Sequence, residues 1–174
     1  GLRFNPYHRY TLAAERRLFA SPQLKAVICN SRMVKAEIMR HFGVAEDKLH
    51  VIYSGVDLDA FHPRLKDQHR QAVRTQLGIP ENATLFLFVG SGFERKGLAA
   101  ALRALPPTAY LVVIGHDKHT GRYQTSASQL GITDRVRFLG PQQDVKPFYG
   151  AADALVLPTL YDPFPNVALE ALAC

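Results

Sequence analysis

A chain of 174 residues with 47% apolar side chains and a formal net charge of +6 can bury one full domain or parts of two. It has no apolar run of the roughly 18 to 20 residues that a membrane-spanning helix requires, and its start, numbered from Gly1, lacks the zones of a secretory leader. Cys29 and Cys174 are too few for a disulfide framework, and each stands in an apolar context that suits a small buried thiol, so a reducing cytosol is the compartment expected.

Residues 1–50 hold nine Lys/Arg against four Asp/Glu, whereas residues 51–174 hold twelve against eleven. The N-terminal excess includes Arg3, Arg9, Arg16 and Arg17, which suit either a solvated helix face or a phosphate-rich surface such as anionic lipid or nucleic acid. Among these bases, Tyr7, Tyr10, Leu12, Ala13 and Leu18 predict a partly amphipathic helix over 6–20 whose apolar side needs a partner. Leu24–Cys29 reads as a short buried strand, and Asn30-Ser31 as the cap of a helix that carries Val34, Ile38 and Phe42 on one face and stops at Gly43. Leu49–Tyr53 is a second strand. Two strands make a poor sheet alone, so residues 1–60 are expected to be the closing part of a domain.

Residues 61–83 are polar and punctuated by Pro63 and Pro80, with a helix over Asp67–Leu77 ended by Gly78, and they read as an inter-domain connection. From 84 to 174 the alternation becomes regular. Strands are predicted at Thr84–Val89, Tyr110–Ile114, Val136–Leu139 and Ala154–Leu157, and helices at Lys96–Leu105, Tyr123–Leu130, Asp144–Gly150 and Pro165–Cys174. Short, wholly apolar strands alternating with helices indicate an α/β fold with a doubly wound parallel sheet, which binds ligands beyond the carboxyl ends of its strands. Three loops lie there: Gly90–Gly97, Gly115–Lys118 and Pro158–Pro165.

In the first loop, Gly90-Ser91-Gly92 precede Arg95 and Lys96. The dinucleotide fingerprint fails at Arg95 and the P-loop pattern fails at Gly97-Leu98, leaving a glycine loop with two cations, which suits a diphosphate. The competing reading makes both cations exposed charges in a helix's first turn, where they would oppose the macrodipole. In the second loop, His116, Asp117 and His119 have no further ligand cluster near them, so they read as a polar pocket lining and no metal site is expected. His8, His41, His50, His62 and His69 have no visible catalytic partner.

The third loop and the helix after it place Asp162 and Glu170 eight positions apart. That spacing fits one extended ligand better than an acid/base pair acting on one bond, and a carboxylate can accept hydrogen bonds from both hydroxyls of a vicinal diol. Spacing alone favours a helix cap at Asp162 and a solvent-facing Glu170.

Asp162-x7-Glu170, with Pro163-Phe164 and Glu170-Ala171-Leu172-Ala173-Cys174, resembles the E-x7-E signature of retaining, GT-B-fold glycosyltransferases of group 1 and family 4. Ser54-Gly55-Val56-Asp57 with Phe61-x-Pro63 resembles that family's domain junction, and Gly150-Ala151-Ala152-Asp153 its segment before the signature strand. The glycine loop, Gly115-His116-Asp117-Lys118 and Tyr7–Phe19 are most similar to the lipopolysaccharide core glucosyltransferase I group.

The resemblance implies a Rossmann-like GT-B donor domain over 84–174, preceded by the end of an acceptor-side domain. It implies catalytic roles for Arg95 and Lys96 on the donor diphosphate and for Asp162 on the sugar. Glu170 would hold the ribose hydroxyls, with Gly90, Ser91, Gly92, Phe164 and the amides of Asn166 and Val167 completing the donor site. The first acid is Asp162 where relatives carry Glu, Pro165 replaces a glycine and supplies no N–H, and Ser91 stands where many relatives carry Arg.

The reaction implied is retaining transfer of a hexose, glucose from UDP-glucose, to a lipopolysaccharide core acceptor. It would need no cofactor and no metal, and would run at the cytoplasmic side, peripheral to the membrane, with an anionic membrane surface as a further partner and no nucleic acid. The chain would be the donor-binding core of a larger enzyme. Two alternatives stay open: a nucleotide-sugar epimerase of the same fold, and a non-catalytic basic module for RNA or membrane.

Overall fold

The structure is a computed structural model that describes residues 6–174; Arg3, one of the expected basic cluster, lies outside the described residues. The chain divides into two compact units, with the boundary between Ser54 and Gly55.

The first unit contains α1 (Pro6–Phe19), β1 (Val27–Cys29), α2 (Arg32–Phe42) and β2 (Leu49–Val51). The strands pair in parallel, Val27 to Leu49 and Cys29 to Val51, with α2 as the crossover. Ser31 caps α2 by accepting the Val34 amide at 3.1 Å, and Gly43, at φ +66°, closes it by donating to the Met39 carbonyl. The core is small: Cys29, Val44 and Leu49, with Val34, Ile38 and Phe42 of α2 and Phe19 of α1 packed against them. The rest of α1 is largely uncovered, with Tyr7, Tyr10 and Leu18 at 75%, 72% and 59% exposure.

The second unit runs α3 (Arg64–Leu77), β3 (Leu85–Val89), α4 (Leu98–Ala104), β4 (Tyr110–Ile114), α5 (Thr120–Gln129), β5 (Val136–Gly140), α6 (Lys146–Ala151), β6 (Ala154–Leu155) and α7 (Asn166–Ala173). All four strands are parallel, in the order β5-β4-β3-β6. The strands are apolar at successive positions because the sheet is covered on both faces. Phe88, Leu111, Val113 and Val136 pack on one side with Leu98, Leu102, Tyr123 and Ala127 of α4 and α5. Leu85, Leu87, Val89, Val112 and Ile114 pack on the other with Val73, Tyr149 and Ala151 of α3 and α6, and with Val167 and Ala171 of α7.

Two elements differ from expectation in ways that bear on the site. Residues 61–83, read as a connection, contain α3, which is a packed layer of the second unit. Gly150 of α6 sits so close to it that an added Cβ would lie 2.2 Å from the Leu65 carbonyl oxygen. Arg74 of α3 is 1% exposed, and its guanidinium donates to the carbonyls of Pro80, Glu81, Ala83 and Ala151 and to Asp153 Oδ2 at 2.8 Å. An arginine in a polar stretch thus acts as a buried tie to the segment before β6, where Asp153 also accepts the Leu85 amide and Arg70.

The second difference is where α4 starts. It begins at Leu98, so Lys96 does not open the helix as its expected span had it. Lys96 N–H donates to Gly92 O and Leu98 N–H to Phe93 O, which closes a turn over 92–98, and Gly97 at φ +78° leads out of it. Arg95 and Lys96 therefore precede the helix rather than occupy its first turn.

Candidate functional site

The chain passes from β3 outward through β4 to β5 and then returns to β6 on the opposite side of β3. This reversal of strand order opens a crevice beyond the carboxyl ends of β3 and β6. The loops after those strands meet there. Leu160 N–H and Thr159 Oγ1 both donate to the Arg95 carbonyl, at 2.9 and 3.0 Å. At Gly97 a Cβ would stand 1.8 Å from the Pro158 carbonyl oxygen, so the contact admits no side chain.

The loop after β4 braces the glycine loop from its other side. Asp117 accepts the Phe93 and His119 amides, each at 2.7 Å, and His116 N–H donates to Ser91 Oγ at 3.2 Å. The His119 amide, followed by that of Phe93, holds the Asp117 carboxyl below the usual range against the opposing effect of burial. A Cβ on Gly115 would lie 2.1 Å from the Gly90 carbonyl oxygen, so these two backbones are also in contact. Asp117, Lys118 and His119 line a cavity of about 430 Å³ with Gly92, Arg95 and Arg122. Among the described residues no three His, Cys, Asp or Glu side chains gather as a metal site.

Lys96 is 9% exposed; its stem packs on Gly90, and its Nζ pairs directly with Asp162 Oδ2. The Asp162 side chain is 10% exposed. Arg95 Nη1 lies 3.8 Å from the same carboxylate oxygen and donates to the Tyr161 carbonyl at 2.9 Å. The cap reading of Asp162 does not hold, because Pro165 occupies the position before α7 and the carboxylate is turned to Lys96. Three expected site residues, Arg95, Lys96 and Asp162, are thus brought together from two loops 66 positions apart in sequence.

The other expected residues surround that cluster along the same loops. Gly90 is half-buried under the Lys96 stem, Gly92 and Ser91 are exposed, and Phe164 is half-buried between Asp162 and α7. Asn166 and Val167 open α7, where the first amides of a helix have no carbonyl within it to bond. Glu170 stands apart from the cations: its Oε2 accepts a 2.7 Å hydrogen bond from Tyr149 Oη of α6. Tyr149 was missed in the sequence. A buried tyrosine needs a hydroxyl partner, which was the one available signal.

The group 1 glycosyl transferase family matches residues 69–174, and glycosyltransferase family 4 matches residues 1–60. The chain belongs to the group 1 glycosyl transferases. A D-inositol 3-phosphate glycosyltransferase of Xylanimonas cellulosilytica is 34% identical to this group 1 chain over 160 residues, which is 86% of the chain and 38% of that enzyme. Of solved structures, WaaG, a glycosyltransferase involved in lipopolysaccharide biosynthesis, superposes with a TM-score of 0.84 at 27% identity over 98% of the chain and 48% of WaaG. Anabaena HepE in complex with UDP-glucose gives 0.79 at 23% identity over the same shares, a likeness of fold. The chain spans less than half the length of each, and its α/β architecture with parallel sheets is that of these GT-B glycosyltransferases.

Proposed function

We propose that residues 84–174 are the donor-binding core of a nucleotide-sugar-dependent glycosyltransferase that transfers a hexose, glucose from UDP-glucose, with retention of configuration. The observation that carries this reading is the meeting of Arg95, Lys96 and Asp162 in the crevice between β3 and β6, with Glu170 on the helix that follows. The two cations face the donor diphosphate, the loop around Asp162 faces the sugar, and Glu170 accepts the two ribose hydroxyls.

In this reading the acceptor attacks from the face that the diphosphate leaves, and the leaving diphosphate takes up the acceptor proton. Charge grows on the diphosphate as the glycosidic bond breaks, so Arg95 and Lys96 stabilise the transition state more than the ground state. The site is read as needing neither cofactor nor metal. The likeness to WaaG supports a lipopolysaccharide core acceptor, and the curated relatives supply the competing acceptor, an inositol phosphate. Residues 1–60 are read as the end of the acceptor-side domain. The solvent-exposed tyrosines and arginines of α1 support attachment of that part to an anionic membrane surface at its cytoplasmic side.

Calorimetry with UDP tests the donor site: Lys96→Ala and Glu170→Ala are each expected to weaken binding about tenfold or more. UDP affinity unchanged in both variants would remove the reading. Incubation with UDP-glucose and either acceptor, followed by mass spectrometry and NMR of the anomeric proton, assigns acceptor and stereochemistry. Conversion of the nucleotide-sugar without any acceptor would mark an epimerase instead.

A further inference from the structure

Glu170 is a carboxylate without a cation: among the described residues it enters no ion pair, and its hydrogen-bond partner is a neutral phenol. That phenol is held firmly. Tyr149 is 6% exposed, and its ring meets Phe61 edge-on at a centroid distance of 5.7 Å. The next residue, Gly150, seats α6 against the Leu65 carbonyl of α3. The hydroxyl carries one proton and has two oxygens in reach, Glu170 Oε2 at 2.7 Å and the Val167 carbonyl at 3.3 Å. The shorter, charge-assisted bond goes to the carboxylate.

A free glutamate side chain would sample several rotamers about its torsions, and fixing it costs conformational freedom when a ligand binds. The bond from Tyr149 fixes it beforehand. It occupies one acceptor direction of Oε2 and leaves Oε1 and the second direction of Oε2 open. Because the donor is neutral, the carboxylate keeps its full negative charge, whereas an arginine partner would neutralise it and take both oxygens. Two adjacent hydroxyls, each donating one hydrogen bond, match what remains. Burial, and after it the hydrogen bond to Glu170, push the Tyr149 phenol well above its ordinary range, so the proton stays on Tyr149 as donor.

We propose that Tyr149 is a positioning residue that presets the Glu170 carboxylate for a vicinal diol, and so sets preference for a ribonucleotide donor over a deoxy one. The proposal rests on the reading of Glu170 as the ribose-binding acid, and the experiment separates the two. Calorimetry on the full chain compares UDP with 2′,3′-dideoxy-UDP in wild type, Glu170→Gln and Tyr149→Phe, the last removing the hydroxyl while keeping the ring against Phe61. The expected result is that Tyr149→Phe weakens UDP about fivefold and leaves 2′,3′-dideoxy-UDP within about twofold, with Glu170→Gln about tenfold or more on UDP alone.

The double variant is expected to match Glu170→Gln, because the phenol acts only through the carboxylate. If Glu170→Gln abolishes the discrimination while Tyr149→Phe weakens both ligands equally, or neither, the hydroxyl serves packing alone and the positioning role is overturned. If Glu170→Gln leaves the discrimination intact, the ribose reading falls first and the positioning role falls with it. Thermal melts of each variant with and without UDP separate loss of folded protein from loss of preference.

Discussion

The pairing of Lys96 with Asp162 gives the proposed donor site a test that the sequence alone does not. Both side chains are about nine-tenths buried, and Arg95, half-exposed, stands 3.8 Å from the same carboxylate oxygen. Removing the carboxylate charge as Asp162→Asn leaves a nearly buried ammonium facing a second cation, a change expected to cost about 3 to 5 kcal/mol of folding stability. Lys96→Met leaves Asp162 with Arg95 as a substitute partner, so it is expected to cost less, about 1 to 3 kcal/mol. The double variant should recover at least about 2 kcal/mol of the summed loss, measured by urea denaturation. UDP binding should move the other way in Asp162→Asn. The cluster passes from one net positive charge to two, and at an effective dielectric constant of about 20 one further unit charge within several ångströms of a diphosphate is worth about 1 kcal/mol or more, at least about fivefold in affinity. UDP carries no transferred hexose, so a lost contact between Asp162 and that hexose cannot mask the gain. Weaker UDP binding in Asp162→Asn, or a coupling energy under about 0.5 kcal/mol, would refute the argument that Asp162 holds Lys96 as its counterion.

Asp153 predicts a defined pH dependence. Burial alone would raise its carboxyl, but the Leu85 amide and the guanidinium groups of Arg70 and Arg74 outweigh it and hold it below its ordinary value. A depressed folded-state pKa contributes stability that is present above the unfolded value, about 3.9, and is lost as pH falls through the folded one. Asp153→Asn is therefore expected to cost about 2 to 3 kcal/mol near pH 7, with a gap from wild type that closes only below about pH 4 in urea titrations; a gap that is constant from pH 7 to pH 2 would contradict the network. For α1, co-sedimentation at low salt should be strong with anionic vesicles and absent with zwitterionic ones, and Arg16→Glu/Arg17→Glu should weaken it by about 2 kcal/mol or more; equal binding to both lipids would remove the membrane reading.

The α/β architecture was legible because its signal is periodic and local. Apolar strands alternate with helices, and Gly43 and Gly78 mark helix ends that the structure closes with left-handed residues. The role of α3 was not legible. Its composition is that of an exposed helix, and only the fold shows Arg74 threaded among four carbonyls and Asp153. Long side chains that bury a stem and satisfy the charged end on backbone carbonyls leave no pattern in a linear reading. The start of α4 was misplaced for a related reason. Lys96 and Leu98 both fit a helical period, and what delays the helix is the close approach of Gly97 to the Pro158 carbonyl, a contact across 61 positions of sequence.

The same distinction runs through the site. Arg95 and Lys96 could be named as a pair because they are adjacent, and Asp162 and Glu170 because their eight-residue spacing resembles a family signature. What no spacing reveals is the partition the fold makes among the four. Asp162, the shorter acid, is bound to the cations across the crevice, while Glu170 is bound to a phenol on its own side. One carboxylate is therefore partly neutralised before any ligand arrives, and the other keeps its charge. Asp162 balances the repulsion of Arg95 and Lys96, so the two cations can be held close together in the folded protein before the proposed diphosphate arrives. On the proposed ribose reading, a diol meeting Glu170 would find an acceptor whose partner is a neutral hydroxyl. Under the proposed donor reading, the two acids of one signature are thus prepared for opposite tasks, and their environments, rather than their separation in sequence, decide which task each performs.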